Sequence, residues 1–424
     1  MNITKKLVFC LLLTFFLVFL PTAHAADNGR YFVKSTKGFW KNALGVRHNF
    51  DNGFTTDASD FQLRLAKIFG VEIEPVAVLQ ILPEDPLAIE QPNQDSSVKP
   101  TPEVSDIQTP APTKIFVPKA TKGKGGTVRY LPSDQTPWGI EKIYNDSLIT
   151  STFGGADANV AVLDTGVNVS HPDLAERIVQ CKDFTNSRFP IIDGKCDDRN
   201  GHGTHVAGII AANAGADGRG IYGVAPQANI FAYKVCGTNG SCYADDIAVA
   251  LRLAADQGAN VVNMSFGSDQ ESSLIRDAVN YASFKGVLLV AAAGNDGPFP
   301  NSVDYPAAYA SVVAVGAIDQ SITVTNWSSR GTNSDSTSWI VEDRDIEFAV
   351  PGEYIESTWN NGSYVILSGT SMASPFVAGL AAKYWQSAVT DPMTTTRDFL
   401  HLLATDLSPL GDDNASGFGL PQIK

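Results

Sequence analysis

The sequence predicts an α/β fold in three layers, in which helices cover both faces of a doubly wound, mainly parallel sheet, behind a small N-terminal α+β unit. In the larger part of the chain, short apolar runs alternate with longer stretches of helical spacing, which is typical of such a sheet. The clearest apolar runs are residues 158–163, 261–264 and 287–293, and the clearest helical stretches are residues 244–255 and 273–284. A functional site is expected beyond the carboxyl ends of the strands.

Size and charge narrow the classes of function. The chain has 424 residues, of which 44% are hydrophobic, so it is long enough for one large core and smaller additional segments. Its 31 lysines and arginines stand against 45 acidic residues, which gives a formal net charge of -14. Because a surface this acidic repels phosphate backbones, nucleic acid is excluded as a partner.

The N-terminus has the features of an export signal. Lys5 and Lys6 precede an apolar run over residues 7–20, Pro21 interrupts it, and residues 23–25 have the small-x-small pattern of a cleavage site. The alternative is an uncleaved membrane anchor, but the run is shorter than the ~20 apolar residues that a spanning helix needs. We therefore predict that residues 1–25 are a signal peptide and that the protein is secreted, to the medium or the periplasm, without membrane attachment afterwards.

Four cysteines remain once Cys10 is removed with the signal peptide. An even number in an oxidising compartment indicates two disulfides, for which three pairings are possible. We take the pairing of sequence neighbours as the prediction, Cys181 with Cys196 and Cys236 with Cys242. A zinc site is the alternative, but the spacings lack the paired C-x-x-C of a structural zinc site.

A small unit is predicted over residues 26–85. Residues 31–34 and 71–82 have strand patterns, and residues 58–69 have helical spacing with Asp57 as the expected N-cap.

A linker is predicted over residues 86–126, ahead of a main domain over residues 127–424. The linker is rich in proline, serine and threonine and ends in three glycines within residues 123–126. Such a segment is extended and open to proteolysis, although its composition equally allows a disordered tail without a role.

Three residues beside apolar elements could together form a catalytic group. Asp164 ends the run 158–163, where an aspartate is ordinarily a turn former or a cap. His202 opens an apolar helix in Gly-His-Gly-Thr-His, and its small neighbours leave the ring room to reach outward. Ser371 precedes another apolar helix, where a serine is ordinarily an N-cap. A serine nucleophile needs a base, and the base needs an orienting carboxylate, so the chain has one candidate of each kind.

Two further residues have competing interpretations. Asn295 lies in a Gly-Asn-Asp-Gly turn, where an asparagine ordinarily serves only to form the turn. Its side-chain amide could instead donate a hydrogen bond to a developing oxyanion. His202 and His205 are three residues apart and could bind a metal. The glutamate of the zinc-protease motif H-E-x-x-H is missing between them, so we favour a base at His202 over a metal site.

Together these residues, in the order Asp, His, Asn, Ser, resemble the subtilisin family of serine proteases over residues 137–419. The motifs are Asp-Thr-Gly at 164–166, His-Pro-Asp-Leu at 171–174, Gly-His-Gly-Thr-His at 201–205, Gly-Val-Ala-Pro at 223–226 and Gly-Thr-Ser-Met-Ala-Ser-Pro at 369–375. The resemblance implies that Asp164 orients His202, that His202 is the general base and then the acid, and that Ser371 is the nucleophile. Asn295 and the backbone amide of Ser371 would form the oxyanion hole, and His205 would be structural.

The resemblance also implies a substrate cleft and a pocket for the P1 residue. One side of the cleft corresponds to Gly240, Ser241 and Cys242, and the other side corresponds to Ser265, Phe266 and Gly267. The pocket wall corresponds to Ala292, Ala293 and Gly294. A Cys236–Cys242 disulfide would brace the first side. Asp304 corresponds to the pocket base and Asp296 to its mouth, so we expect a basic or polar P1 residue. A solvated or calcium-linked Asp304 is the alternative.

Calcium, a propeptide and protein partners follow from the same resemblance. Members of the family bind structural calcium through oxygen ligands, to which Asp173, Asp217 and Gln135 correspond. Residues 26–85 resemble the inhibitory propeptide, chiefly over residues 50–71, which implies a zymogen that processes itself by a cleavage in the linker. The expected partners are protein or peptide substrates and the chain's own propeptide, and a monomer is expected.

Two other classes of function compete with an endopeptidase. A non-proteolytic serine hydrolase such as an esterase would have a G-x-S-x-G elbow and the order Ser, acid, His, and the sequence has neither. An inactive binding protein on the same fold would have lost a catalytic residue, and all three candidates are present. The sequence therefore favours a secreted serine endopeptidase.

Overall fold

The computed structural model describes residues 29–82, 121–122, 128–332, 340–407 and 410–424. The predicted signal peptide and most of the predicted linker lie outside these residues. The chain divides into two compact units, one ending at Val76 and the other running from Ala77 to Lys424. Each has a hydrophobic core of its own.

The N-terminal unit is the α+β structure that the sequence predicts. An antiparallel sheet in the order β2-β3-β1-β4 accompanies two helices. The elements are β1 (Tyr31–Val33), α1 (Gly38–Leu44), β2 (Asn49–Phe50), β3 (Gly53–Thr56), α2 (Asp60–Ile68) and β4 (Ile73–Pro75). Val33, Leu44, Phe54 and Ala66 form its core.

The predicted N-cap of α2 is wrong. Ser59 caps this helix in a capping box, and Gln62 Oε1 accepts the Ser59 N–H at 3.1 Å. Asp57 instead forms ion pairs with Arg30 and Arg47, each with an N–O distance of 3.6 Å. The Asp57 carboxylate thus neutralises two buried guanidinium groups instead of capping the helix.

The second unit holds the main sheet and six helices among the described residues. Its strands are β5 (Val78–Ile81), β6 (Thr121–Lys122), β7 (Val128–Arg129), β8 (Asn159–Asp164), β9 (Ile178–Asp183), β10 (Ile192–Asp193), β11 (Asn229–Lys234), β12 (Ser241–Tyr243), β13 (Val261–Met264), β14 (Phe266–Gly267), β15 (Leu288–Ala292), β16 (Val312–Ile318), β17 (Phe348–Pro351), β18 (Ile355–Thr358), β19 (Tyr364–Leu367), β20 (Ala404–Thr405) and β21 (Leu420–Pro421). Its helices are α3 (Trp138–Tyr144), α4 (His202–Ala211), α5 (Ala244–Asp256), α6 (Ser273–Phe284), α7 (Thr370–Lys383) and α8 (Pro392–Leu403).

The main sheet has eight strands in the order β10-β9-β11-β8-β13-β15-β16-β17, and every pairing is parallel except that of β10 with β9. The chain adds strands to both sides of β8, so the sheet is doubly wound. Helices α4 and α7 pack on each other and share one core with alternate strand residues such as Val160 and Val162. Helices α5 and α6 also pack on each other, and their buried residues lie outside that core. The predicted three-layer fold is confirmed.

Short sheets complete the second unit. Strand β5 lies between β12 and β14, and β18 pairs with β19, β20 with β21, and β6 with β7. Residues 78–81 were predicted to belong to the N-terminal unit, but they pair with strands of the second unit. Across the described residues, we find no helix with both the length and the apolar character needed to cross a membrane.

Candidate active site

The carboxyl edge of the main sheet gathers the predicted site residues. Asp164 is the last residue of β8, the strand at which the winding reverses. Ser265 follows β13 directly, and Asn295 lies three residues beyond the end of β15. Because parallel strands end at one edge, residues about a hundred positions apart in sequence become neighbours there.

His202 begins helix α4, and its ring contacts the end of β8. His202 Nδ1 lies 2.8 Å from Asp164 Oδ1, and both side chains are buried. Asp164 Oδ1 also accepts the Thr165 N–H at 2.7 Å. Since a carboxylate only accepts, the imidazole donates through Nδ1–H, and its second nitrogen, Nε2, is left with the lone pair that a base requires.

Glycine on each side of His202 permits this close approach. A Cβ at Gly203 would lie 2.2 Å from Gly166 O, the carbonyl two residues beyond Asp164. Gly201 has a φ of 118°, and a Cβ there would lie 2.3 Å from the Trp359 ring. The small residues of the motif therefore leave room for the imidazole and also allow the helix to pack closely against the strand.

Ser371 lies within the first turn of α7, whereas the sequence pattern placed it ahead of the helix. Its hydroxyl donates to Ser265 O at 3.0 Å, and the Ser265 hydroxyl donates to Ser371 O at 2.9 Å. In a regular helix Ser371 O would accept the N–H of residue 375, but Pro375 has none. Ser265 supplies the missing donor. The hydroxyl of Ser374 also lies 2.9 Å from that of Ser265.

Asn295 is oriented by Thr370, a residue that the sequence analysis did not single out. Asn295 Oδ1 accepts the Thr370 N–H at 3.0 Å and the Thr370 hydroxyl at 2.9 Å. A Cβ built on Gly369 would lie 3.5 Å from Asn295 Nδ2 and 3.7 Å from Ser371 N. Two N–H donors therefore border one space beside Gly369, as an oxyanion hole requires. The motif contained Thr370, but nothing in it indicated a partner 75 residues away.

The predicted cleft residues lie on either side of an extended segment, β5. Residues 241–243 pair antiparallel with residues 78–80, and β14 pairs antiparallel with residues 80–81. The Ile81 N–H donates to Gly240 O at 2.9 Å. Gly240 has a φ of 80°, and a Cβ there would lie 2.5 Å from Ile81 Cγ1, so glycine is required on this side. The edge strands can thus hold a peptide backbone between them.

The predicted P1 pocket has a buried carboxyl at its base. A Cβ at Gly267 would lie 2.6 Å from Asp304 Oδ2, and one at Gly294 would lie 3.0 Å from the same atom. Asp304 is only 3% exposed, which excludes the solvated alternative. Burial, together with the charges of Asp296 and Asp269, raises the pKa of Asp304 to about 7. This carboxyl therefore changes charge within the neutral range.

Asp173, a predicted calcium ligand, lies inside a tight loop. Its Oδ2 accepts the Ile221 N–H at 2.9 Å and the Tyr364 hydroxyl at 2.6 Å. A Cβ at Gly220 would lie 2.0 Å from Asp173 Oδ1, so the loop closes directly over the carboxylate.

Gln135 meets the same loop. Its Nε2 donates to Gly218 O at 2.8 Å and to Gly220 O at 2.9 Å, and rotation of the amide would present Oε1 instead. Asp217 is exposed, and its Oδ1 accepts the Arg219 N–H at 3.2 Å. Among the described residues, neither Asp173 nor Asp217 belongs to a group of three acidic, histidine or cysteine side chains that could share an ion. A calcium site here would therefore combine a carboxylate with carbonyl and amide oxygens, a set that fits calcium.

His205 and the cysteines have structural environments. His205 Nε2 lies 3.1 Å from Ile355 O and 3.0 Å from Val365 O, and burial lowers the pKa of this histidine to about 3. A neutral ring that bridges two strands agrees with the structural role expected. The predicted disulfides Cys181–Cys196 and Cys236–Cys242 are both present, and the second lies in the edge of the cleft.

Comparison with known proteins gives concordant matches. The model of the subtilase family matches residues 155–419. A subtilisin from Bacillus sp. (strain TA39) is 48% identical over 309 residues, which cover 69% of this chain and 73% of the relative. Subtilisin Savinase from Lederbergia lenta is 38% identical over 288 residues, which cover 68% of this chain and 97% of that protein. The solved structures of S41 Psychrophilic Protease and Sphericase each match with a TM-score of 0.66 and 48% identity, over 69% of this chain and 99% of theirs.

Proposed function

The chain belongs to the subtilase family and is a serine endopeptidase, and we propose that it cleaves peptide bonds with Asp164, His202 and Ser371 through an acyl-enzyme intermediate. The observation that carries this proposal is the buried His202–Asp164 pair, with its 2.8 Å contact, at the sheet edge that also holds Ser265, the hydrogen-bond partner of Ser371.

Proton transfer follows from the hydrogen bonds of the pair. Asp164 holds the imidazole through Nδ1–H, so Nε2 takes the Ser371 proton as the hydroxyl oxygen attacks the scissile carbonyl carbon. The imidazolium formed is stabilised by the Asp164 carboxylate and then gives its proton to the leaving amine. Water, activated by the same nitrogen, hydrolyses the acyl-enzyme and restores the serine.

Charge on the carbonyl oxygen would be stabilised by two donors. Asn295 Nδ2 and the Ser371 N–H border the space beside Gly369. Thr370 holds the Asn295 carboxamide oxygen with two hydrogen bonds, which directs the amide nitrogen into that space. One such donor contributes on the order of 10²–10³ to the rate.

The chain's own propeptide would inhibit this site. Strand β5 is bound in extended conformation between the two edges of the cleft, as a substrate would be. Continuing its register by one residue sets Leu82, which is buried, opposite Ser265, beside the nucleophile.

We further propose export through residues 1–25, maturation within residues 86–126 and a monomeric product, which rest on the sequence.

The P1 pocket would select a basic residue when Asp304 is charged. Asp304 lies between Gly267 and Gly294, and its pKa of about 7 makes this preference depend on pH. Below that pH the uncharged carboxyl would tolerate an apolar residue. A structural calcium ion would be held by Asp173 and Gln135 with the carbonyls of Gly218 and Gly220, where it would stabilise the loop.

The test compares the precursor with its Ser371→Ala variant by intact mass and casein hydrolysis. We expect the wild type to lose the signal peptide and propeptide and to digest casein, and the variant to keep its propeptide and remain inert. Ser147→Ala, at an exposed serine, is the matched control and should behave as the wild type. Casein hydrolysis by Ser371→Ala would overturn the serine mechanism, and an inert, unshortened wild type would overturn self-processing.

A further inference from the structure

The carboxylate of Asp198 accepts five hydrogen bonds next to the proposed catalytic pair. Its Oδ1 accepts the Thr165 hydroxyl at 2.9 Å and the N–H groups of Asn200 and Gly201 at 3.0 and 2.8 Å. Its Oδ2 accepts the N–H and the hydroxyl of Thr204 at 2.9 and 2.6 Å. The side chain is buried. A buried carboxylate with this many donors is held rigidly, and it holds its donors rigidly in turn.

Thr165 extends this network to both members of the pair. Its hydroxyl donates to Asp198 and accepts the Gly203 N–H at 3.0 Å. Thr165 directly follows Asp164, and Gly203 directly follows His202. The end of β8 and the first turn of α4 are therefore joined by a bridge that is separate from the His202–Asp164 hydrogen bond.

A buried lysine secures the same turn from the backbone side. Lys234 Nζ donates to the carbonyl oxygens of Thr165 and Cys236. Burial lowers the pKa of Lys234, and the nearby charge of Asp198 opposes that effect most strongly. The residue after Asp164 is thus held through its side chain by a carboxylate and through its carbonyl by an ammonium group.

We propose that Asp198 is a positioning residue: through Thr165 and the first turn of α4, it sets the distance and ring orientation between His202 and Asp164. This inference rests on the proposed function, because it takes that pair to be the catalytic one. A misplacement of about 1 Å in such a pair can reduce the rate about 100-fold. A carboxylate that only capped the helix would stabilise the fold and leave turnover unchanged.

The test uses Asp198→Asn, Thr165→Val and Thr165→Ser in the full chain, with kcat expressed per titrated active site. We expect Asp198→Asn and Thr165→Val to lower kcat about ten- to hundredfold while KM stays within about twofold, because only the reacting geometry changes. Thr165→Ser keeps the hydroxyl and should retain nearly all of kcat. The double variant Asp198→Asn/Thr165→Val should lose no more than the worse single variant, because both changes break one bridge.

Asp391→Asn is the matched control, since Asp391 caps α8 by accepting the Thr394 N–H at 3.2 Å. It should lower Tm and leave kcat unchanged. A folded Asp198→Asn enzyme with wild-type kcat, or losses that multiply in the double variant, would overturn the proposal. If Asp198→Asn does not fold, the contrast between Thr165→Val and Thr165→Ser decides it. Failure of the proposed function is distinct, because the wild type itself would then be inert or Ser371→Ala would be active.

Discussion

We predict that the charge of Asp304 makes P1 selectivity depend on pH. The carboxyl has a pKa of about 7 because it is buried and faces two other acidic residues, Asp296 and Asp269. It is therefore mostly neutral at pH 6 and charged at pH 9. A lysine at P1 keeps its own charge throughout this range, so its attraction to the pocket should appear as Asp304 ionises.

The size of the effect follows from the ionised fraction. With a pKa of about 7, that fraction rises from roughly 0.1 at pH 6 to nearly 1 at pH 9, about a tenfold change. We expect the ratio of kcat/KM for a P1-Lys peptide to that for a P1-Leu peptide to rise about tenfold across this interval. Any pH dependence of the catalytic step that the two substrates share cancels in the ratio.

The assay is a competition between two peptides that differ only at P1, followed at pH 6, 7, 8 and 9. Asp304→Asn removes the charge and should make the ratio independent of pH, whereas Asp296→Asn should lower the pH at which it changes, because one repelling charge is gone. Each series is repeated with EDTA and with calcium, since Asp269, Asp296 and Asp304 lie close enough to share a cation.

A ratio that stays flat in the wild type, with and without calcium, would refute the assignment of Asp304 to the P1 pocket. A pH dependence that persists in Asp304→Asn would transfer the effect to another group.

Two further predictions concern stability and use the Ser371→Ala background to prevent self-digestion. Burial opposes ionisation of Glu347, but the charge and hydrogen bonds of Arg397 and a hydrogen bond from His401 outweigh it and lower the Glu347 pKa to about 2. Urea unfolding should show stability falling as the pH drops from about 4 to 2. Glu347→Gln should reduce this dependence and cost about 3 kcal/mol at pH 7, because Arg397 loses its carboxylate partner. An unchanged pH dependence would contradict this. Calcium at 100 times its dissociation constant should add about 2.7 kcal/mol to the free energy of unfolding. Gln135→Ala should weaken this effect. A Tm that does not depend on calcium would exclude the site.

Local patterns in the sequence located the elements and the reactive residues. The runs 261–264 and 273–284 coincide with β13 and α6, because buried strands and amphipathic helices carry their periodicity in consecutive residues. Asp164, His202 and Ser371 were identifiable because each stands beside small residues at the end of an apolar element. The neighbour pairing of the cysteines was likewise predicted and is confirmed.

Other features depend on contacts between distant residues and could not be derived from local pattern. Asp57 and Ser59 look equally suitable as the helix N-cap until the partners of each are known. Residues 78–81 have the same strand pattern whether they pair within the N-terminal unit or between β12 and β14. The Thr370–Asn295 bond joins residues 75 positions apart.

By itself, the sequence determined the fold class, the family and the candidate catalytic residues, because these follow from periodicity and from short motifs. Only the tertiary structure decided how those residues are held and charged. The burial that raises the Asp304 pKa, and the five donors that converge on Asp198, come from chain segments that folding brings together. Hydrogen bonding and desolvation act through space, so their strength is set by neighbours that are remote in sequence.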